Sequence, residues 1–432
     1  MSRPDPDSQP ATRTAARTMP EASRDLASPL LCWLGAGLIA STAAAAEPEV
    51  TRYGLEESTG FASAVSVSGA ELIHLNQLLP IGADGKVVSP GDVEKQLVQL
   101  NENLIAAISA AGGDFKRVLK LNFYVPSPQV AETVLRGKIT PPPLEFLPAL
   151  SLVVTSLPDP DALVAVDAVI AGGSGDPAAT AVRRLGDGKS VGARLGPAAA
   201  VLPVGPRVYI SGQAEAGSGG VTSAARETLA SLGRTLDFLG LTRSDVVQVK
   251  AFVTPMTSVG EFEAEVLRFF AGDELPVITS VQWESNLPIE IEMVVSGGGS
   301  AVVSEAAAGE TIEFLTPPGM TASPVYCRVA KLLAPTTIYT TGIFAGQGLN
   351  GEQEVAAVLK RLGEILEQTG SDWRQLAKAT YYVADEDTSL ELNRQRPKHY
   401  DPARPPAASK AKVAGTGIEG HQITIDLIGT RP

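Results

Sequence analysis

Apolar and polar positions recur along this chain in one order, three times over. In the stretch 205–255 an alternating run, Val208-Tyr209-Ile210, halts at Ser211-Gly212-Gln213, as a half-buried strand does on meeting a turn. Ala225, Leu229, Leu232, Leu236 and Leu239 follow at steps of four, three, four and three. Those steps put them on one face of a 3.6-residue period and predict a helix. Gly240 closes the helix. Val246, Val247, Val249, Phe252 and Val253 then supply the β-branched and aromatic run of a second strand.

Upstream, Leu72-Ile73-His74-Leu75 leads to Asn76-Gln77, then Val93, Leu97, Leu100 and Leu104 repeat the helical steps, and Val118 to Val125 repeat the strand. Downstream, Ile338-Tyr339-Thr340-Thr341-Gly342 leads to Val355, Leu359, Leu362 and Leu366 and to a strand ending at Tyr381-Tyr382-Val383. The matching valines Val125, Val253 and Val383 stand about 130 residues apart, the size of a small domain. Each copy continues with a weaker helix, a Pro-led strand and a last strand holding one acid between apolar residues: Val166-Asp167, Ile291-Glu292, Ile425-Asp426. That order predicts an α+β unit with helices on one face of a mixed sheet. The expected organisation is a leader over 1–46, domains over 51–171, 193–296 and 310–432, and Gly/Pro-rich linkers over 172–192 and 297–309.

Composition narrows what three such units do. With 432 residues, 44% hydrophobic and 19% charged, three real cores are affordable. A formal net charge of -13 repels phosphate backbones and anionic lipid, so neither nucleic acid nor a polybasic membrane contact is expected as a partner. From Leu26 to Ala46 every residue is apolar or small, ending in Ala44-Ala45-Ala46, the pattern of a secretory signal. Export to the periplasm or outside the cell is therefore expected, with the same segment serving as a membrane anchor if it stays uncleaved. Cys327, in a strand-like run, reads as a buried structural thiol. His74, His399 and His421 lack ligand spacing, and no metal or cofactor is expected.

The strand ending in Ser-Gly-Gln, the amphipathic helix, the strand from Asp245-Val246-Val247 to Phe252-Val253-Thr254 and the ending Ile289-Glu290-Ile291-Glu292 together resemble the RidA (YjgF-like) family. The resemblance implies a chorismate-mutase-like fold, assembled as trimers with a ligand cleft between neighbours, and hydrolysis of enamines and imines to a keto acid and ammonia. Three copies in one chain then imply an intramolecular pseudo-trimer, monomeric in solution, that binds a small molecule. The family's arginine, which grips the substrate carboxylate, is replaced here by Leu150, Ile278 and Ala408. Losing so directional a charge pair removes about 2–5 kcal/mol of ligand binding, so standard imino-acid deamination is not expected. Lys410, two residues past Ala408 and on the same strand face, offers a point charge in its place, and Arg404 reads as a solvated loop residue.

The resemblance also implies a catalytic role for the acid on the last strand, matched by Glu292, Asp167 and Asp426. Glu292, a methylene longer than the two aspartates, is the residue for an alternative reading as an enamine/imine hydrolase acting through water. An edge-strand carboxylate is the plainer alternative. Gly212, Gln213, Gly342 and Asn393 complete the expected ligand-binding set, with Asn76 departing from the glycine pattern. Lys120 and Lys378, at strand starts, read as solvated rim charges.

Overall fold

The structure is a computed structural model that describes residues 48–136, 147–175, 179–298 and 309–432. The expected leader lies outside the described residues, as does most of the 297–309 stretch.

The chain opens with β1 (Glu49–Tyr53), β2 (Ala64–Ser68) and β3 (Leu72–Leu75), followed by α1 (Val93–Ala110), β4 (Val118–Val125), α2 (Pro128–Leu135), β5 (Ala149–Val154) and β6 (Ala165–Ala171). The pattern repeats as β7 (Arg183–Asp187), β8 (Pro197–Leu202), β9 (Arg207–Gln213), α3 (Gly220–Phe238), β10 (Val246–Val253), α4 (Val259–Phe269), β11 (Val277–Gln282) and β12 (Ile289–Ser296). It ends with β13 (Ile312–Leu315), β14 (Val329–Leu332), β15 (Thr336–Thr340), α5 (Gly351–Gln368), β16 (Leu376–Val383), α6 (Glu386–Gln395), β17 (Ala407–Lys412) and β18 (Ile423–Gly429).

Local chemistry fixes the helix ends. Asp92 accepts from the Lys95 amide at the start of α1, and Asn350 forms a capping box with Gln353 at the start of α5. The apolar stripes read from sequence all face inward: Leu97, Leu100 and Leu104, then Leu229, Leu232 and Leu236, then Leu359, Leu362 and Leu366 pack on their own sheets in three separate cores.

Each core lies under a six-stranded mixed sheet, and the three sheets share one topology: β5-β4-β6-β3-β8-β7, β11-β10-β12-β9-β14-β13 and β17-β16-β18-β15-β2-β1. The pairs β4/β5, β10/β11 and β16/β17 are parallel, as a crossover through α2, α4 or α6 requires, and the rest are antiparallel. The expected fold class, three RidA-like α+β units, fits this architecture.

Strand pairing does not follow the sequence repeat, however. The expected 172–192 linker contains β7, which with β8 completes the first sheet by pairing onto β3. The β13/β14 hairpin likewise completes the second sheet on β9, and β1/β2 completes the third on β15. Between β2 and β3 only residues 69–71 intervene, with Gly69 at φ 67, and the chain there passes from one sheet to another instead of folding back. The N-terminal hairpin thus closes the arrangement by joining the C-terminal sheet.

Candidate functional site

A register shift recurs in β4, β10 and β16, after Val118, Val246 and Leu376, and such bulges re-aim the residues that follow. Lys120 and Lys378 stand just past it. They are 5% and 7% exposed, so the expected rim charges are in fact buried ones. What makes burial tolerable is a carboxylate supplied by the neighbouring sheet. Lys378 Nζ donates to Glu292 Oε2 at 2.6 Å, and Lys120 Nζ lies 3.7 Å from Asp426 Oδ2. Lys120 also donates to Ser151 Oγ and to the Thr340 carbonyl, and burial still holds its pKa below the usual lysine value.

Asp167, Glu292 and Asp426 lie on β6, β12 and β18, interior strands of their sheets, so none is the edge-strand carboxylate that sequence left open. Each accepts from a hydroxyl on the edge strand of the next sheet: Thr279 to Asp167 at 3.0 Å, Ser409 to Glu292, and Ser151 to Asp426 at 2.6 Å. The second repeat breaks the pattern. Gln248 replaces the lysine, Asp167 accepts instead from Asn122 and Tyr124, and a lysine appears two residues later as Lys250, donating to Tyr382 Oη.

One pleat outward from these acids, the three seams differ. Where the third sheet meets the first, Gly342 packs on Thr424 and Ser151, and Leu152 fills the space against Gly417. Where the first meets the second, Asn76 takes the glycine's place. Thr341 and Ser211 each accept the N–H of the facing edge strand, from Leu150 and Ala408, but the matching Leu75 has no hydroxyl. Asn76 Oδ1 accepts the Ile278 N–H instead, and its Nδ2 donates to Leu195 and Pro197. That explains the departure from glycine, and its side chain occupies the seam.

Between the second and third sheets the seam keeps an ionisable group. Glu290 is half-buried, and a Cβ placed on Gly212 would sit 2.0 Å from its Oε1. Burial, then the neighbouring Glu292 charge, push its carboxyl up to about 7, against a Ser409 hydrogen bond and the Lys378 and Lys410 charges. Lys410 Nζ donates to Ser389 Oγ at 2.9 Å and Asn393 Oδ1 at 3.3 Å.

Of the expected ligand-binding residues, this seam brings together Gly212, Asn393 and Lys410. Gly342 belongs to another seam, and Gln213 turns to its own helix, donating to Thr235. Arg404, expected to be solvated, is taken by Glu310 and lies over Phe314. Sequence reasoning passed over Glu290, although a signal was there: two acids in Ile289-Glu290-Ile291-Glu292 share a strand face, and the first slot holds Ala165 and Thr424 in the other repeats. Cys327 is buried, which pushes its thiol up. Among the described residues no group of three His, Cys, Asp or Glu is placed to hold a metal ion, and no helix is long and apolar enough to cross a membrane.

A family model described as Endoribonuclease L-PSP matches residues 194–296. The chain carries a RidA-like domain. Its three sheets fit three tandem RidA-like domains, two of them outside the matched segment. Similar solved structures include a YjgF-family protein from Neisseria meningitidis, 21% identical, covering 28% of this chain and 95% of that one, with a TM-score of 0.21. Others are a Rid-family protein, YyfB, from Yersinia pestis, at 23%, 22%, 83% and 0.20 in the same order, and YEO7 of yeast, at 20%, 28%, 100% and 0.21. No curated protein matches the chain.

Proposed function

We propose that this chain is a small-molecule-binding RidA-like protein with one working cleft, at the seam of the second and third sheets, and without standard imino-acid deaminase activity. The observation that carries this is Glu290, an ionisable carboxyl held at about 7 against Gly212, where the matching positions are Thr424 and Ala165. Protonated, it donates a hydrogen bond to a carbonyl or imine. Lys410 offers a point charge to a carboxylate but cannot reproduce the fork of an arginine, and Leu150, Ile278 and Ala408 supply none.

A small 2-keto acid titrated by calorimetry tests the reading. Binding is expected to be weak, in the millimolar range, and to fall about tenfold per pH unit above 7, because only the protonated carboxyl donates. Glu290→Gln should flatten that dependence, and Gly212→Ala should abolish binding by displacing Glu290. Binding that survives Gly212→Ala unchanged would sink the proposal.

An enamine/imine hydrolase is the second reading, favoured by the same value near 7, where a general acid or base works best at neutral pH. Glu290 then takes the part first expected of Glu292, whose carboxylate is occupied by Lys378 and Ser409. Ammonia release from a freshly generated imino acid, lost in Glu290→Gln, would decide for it. The reading extends to a monomeric, exported protein, checked by a one-chain mass in solution and a mature N-terminus at Glu47.

A further inference from the structure

A second candidate site lies on the solvent side of the second domain, where α3 and α4 pack over their sheet. The sequence puts a charge there that the other repeats lack. With the apolar stripes in register, Leu229 on Leu97 and on Leu359, Arg234 falls on Glu102 and Glu364, and Arg226 falls on Glu94 and Ala356. One helix position thus carries a cation in this copy and an acid in the other two, on a chain whose net charge is -13. Arg226 and Arg234 stand about 12 Å apart along α3. Together with Arg243 and Arg268 they line a groove of about 410 Å³.

Two of these four guanidiniums are already engaged. Glu265 of α4, 2% exposed, accepts from Arg226 Nη2 at 2.8 Å and Arg226 Nε at 3.2 Å, and it pairs with Arg268 as well. The other two are not. Arg243 lies over the Phe269 ring, 4.5 Å from its centroid, and Gly233, directly before Arg234, borders the same ring: a Cβ there would meet Phe269 Cε2 at 3.3 Å. Neither Arg234 nor Arg243 has a carboxylate within ion-pair distance among the described residues, and Asp237, the second acid on the groove wall, has no cation within that distance. Glu227, next to Arg226 in sequence, is exposed and outside the groove. The lining itself therefore holds four cations against two anions.

That surplus favours an anion, and the groove sets its size, which lies in the range of small-molecule sites. A longer polyanion would be repelled by the acidic surface of the rest of the chain. The two unpaired forks set its chemistry. One guanidinium already satisfies both oxygens of a carboxylate, whereas each phosphate of a diphosphate presents oxygens of its own. We propose that the α3/α4 groove binds a small-molecule diphosphate, free or esterified, through Arg234 and Arg243, with the Arg226–Glu265–Arg268 cluster forming part of its wall.

Inorganic pyrophosphate, titrated by calorimetry into the full chain, is the probe. Binding in the submillimolar range is expected, with orthophosphate weaker. Arg234→Gln and Arg243→Gln should each weaken pyrophosphate about ten- to hundredfold, and Arg234→Glu, which installs the charge of the other repeats, should abolish binding. Arg234 and Arg243 are exposed, so the melting temperatures should stay within a degree or two of the original. Lys360→Gln, on the exposed face of α5, should leave the affinity unchanged. Uridine diphosphate titrated alongside tells an ester, which binds more tightly than pyrophosphate, from the free ion, and either result upholds the proposal. No heat of binding at millimolar pyrophosphate would overturn it, as would an affinity unmoved by Arg234→Glu. Tighter binding of a hexaglutamate peptide than of pyrophosphate would overturn it too, in favour of an acidic protein segment.

Discussion

A chain lacking residues 48–70 is expected to lose cooperative unfolding and to self-associate. In the intact protein β2 pairs with β15 from Ser68/Thr336 to Ala64/Thr340, and Ala64, Val65 and Val67 are at most 1% exposed. Each valine contributes about 1.5–3 kcal/mol by burial, so the loss approaches the whole stability of a typical domain. It also leaves β15 as a bare edge, open to pairing with another chain. The same hairpin should work when supplied from the other end. Arg431 already donates to Tyr53 and Ser66 on β1 and β2, and three strand spacings, about 14 Å, separate the C-terminal strand from β1. A permuted chain beginning at Glu71, with residues 48–70 joined after Pro432 through about eight flexible residues, should melt within a few degrees of the original. Calorimetry and sedimentation of the shortened and the permuted chain check both statements. A deleted chain that stays monomeric and melts normally would refute the pairing.

Glu292→Leu is expected to cost about 3–5 kcal/mol, because it strands the Lys378 ammonium, 7% exposed, without its anion. The partner substitution should reverse most of that loss. In the double variant Glu292→Leu/Lys378→Met neither charge remains to be desolvated, and replacing a buried pair by apolar groups is often close to neutral. Urea titrations of both single variants and the double close the cycle. Lys360 and Glu364, an exposed i,i+4 pair on α5, are the control, and reversing them should leave the midpoint unmoved. A double variant as unstable as the single would mean that Glu292 acts through shape, not charge.

The elements were legible because each depends on a local period. The α3 stripe from Ala225 to Leu239 and the acid-bearing strands ending in Asp167, Glu292 and Asp426 are where the spacing puts them. Sheet membership was not legible. Ala64–Ser68 and Leu72–Leu75 are as good a hairpin on paper as β1 and β2 are in fact, since alternation gives a strand its face and says nothing of its neighbour. The buried lysines were missed for a related reason. A bulge at Val118 or Leu376 shifts the register by one residue, and no residue type marks it, so Lys120 and Lys378 looked like ordinary strand ends. Glu290 was within reach, because comparing the repeats slot by slot singles it out against Ala165 and Thr424. Its pKa was not, since that depends on burial in the seam and on Ser409 and Lys378 arriving from another sheet.

Tandem linkage has a consequence for how such a protein is made. Ser68 and Thr336, hydrogen-bonded partners in the finished sheet, are 268 residues apart in the chain, so the earliest strands leave the ribosome long before the one they complete. Until the last repeat emerges the β1/β2 hairpin has no sheet to join. A nascent or prematurely ended polypeptide therefore keeps an open sheet edge, the very feature by which quality-control factors tell unfinished chains from finished ones.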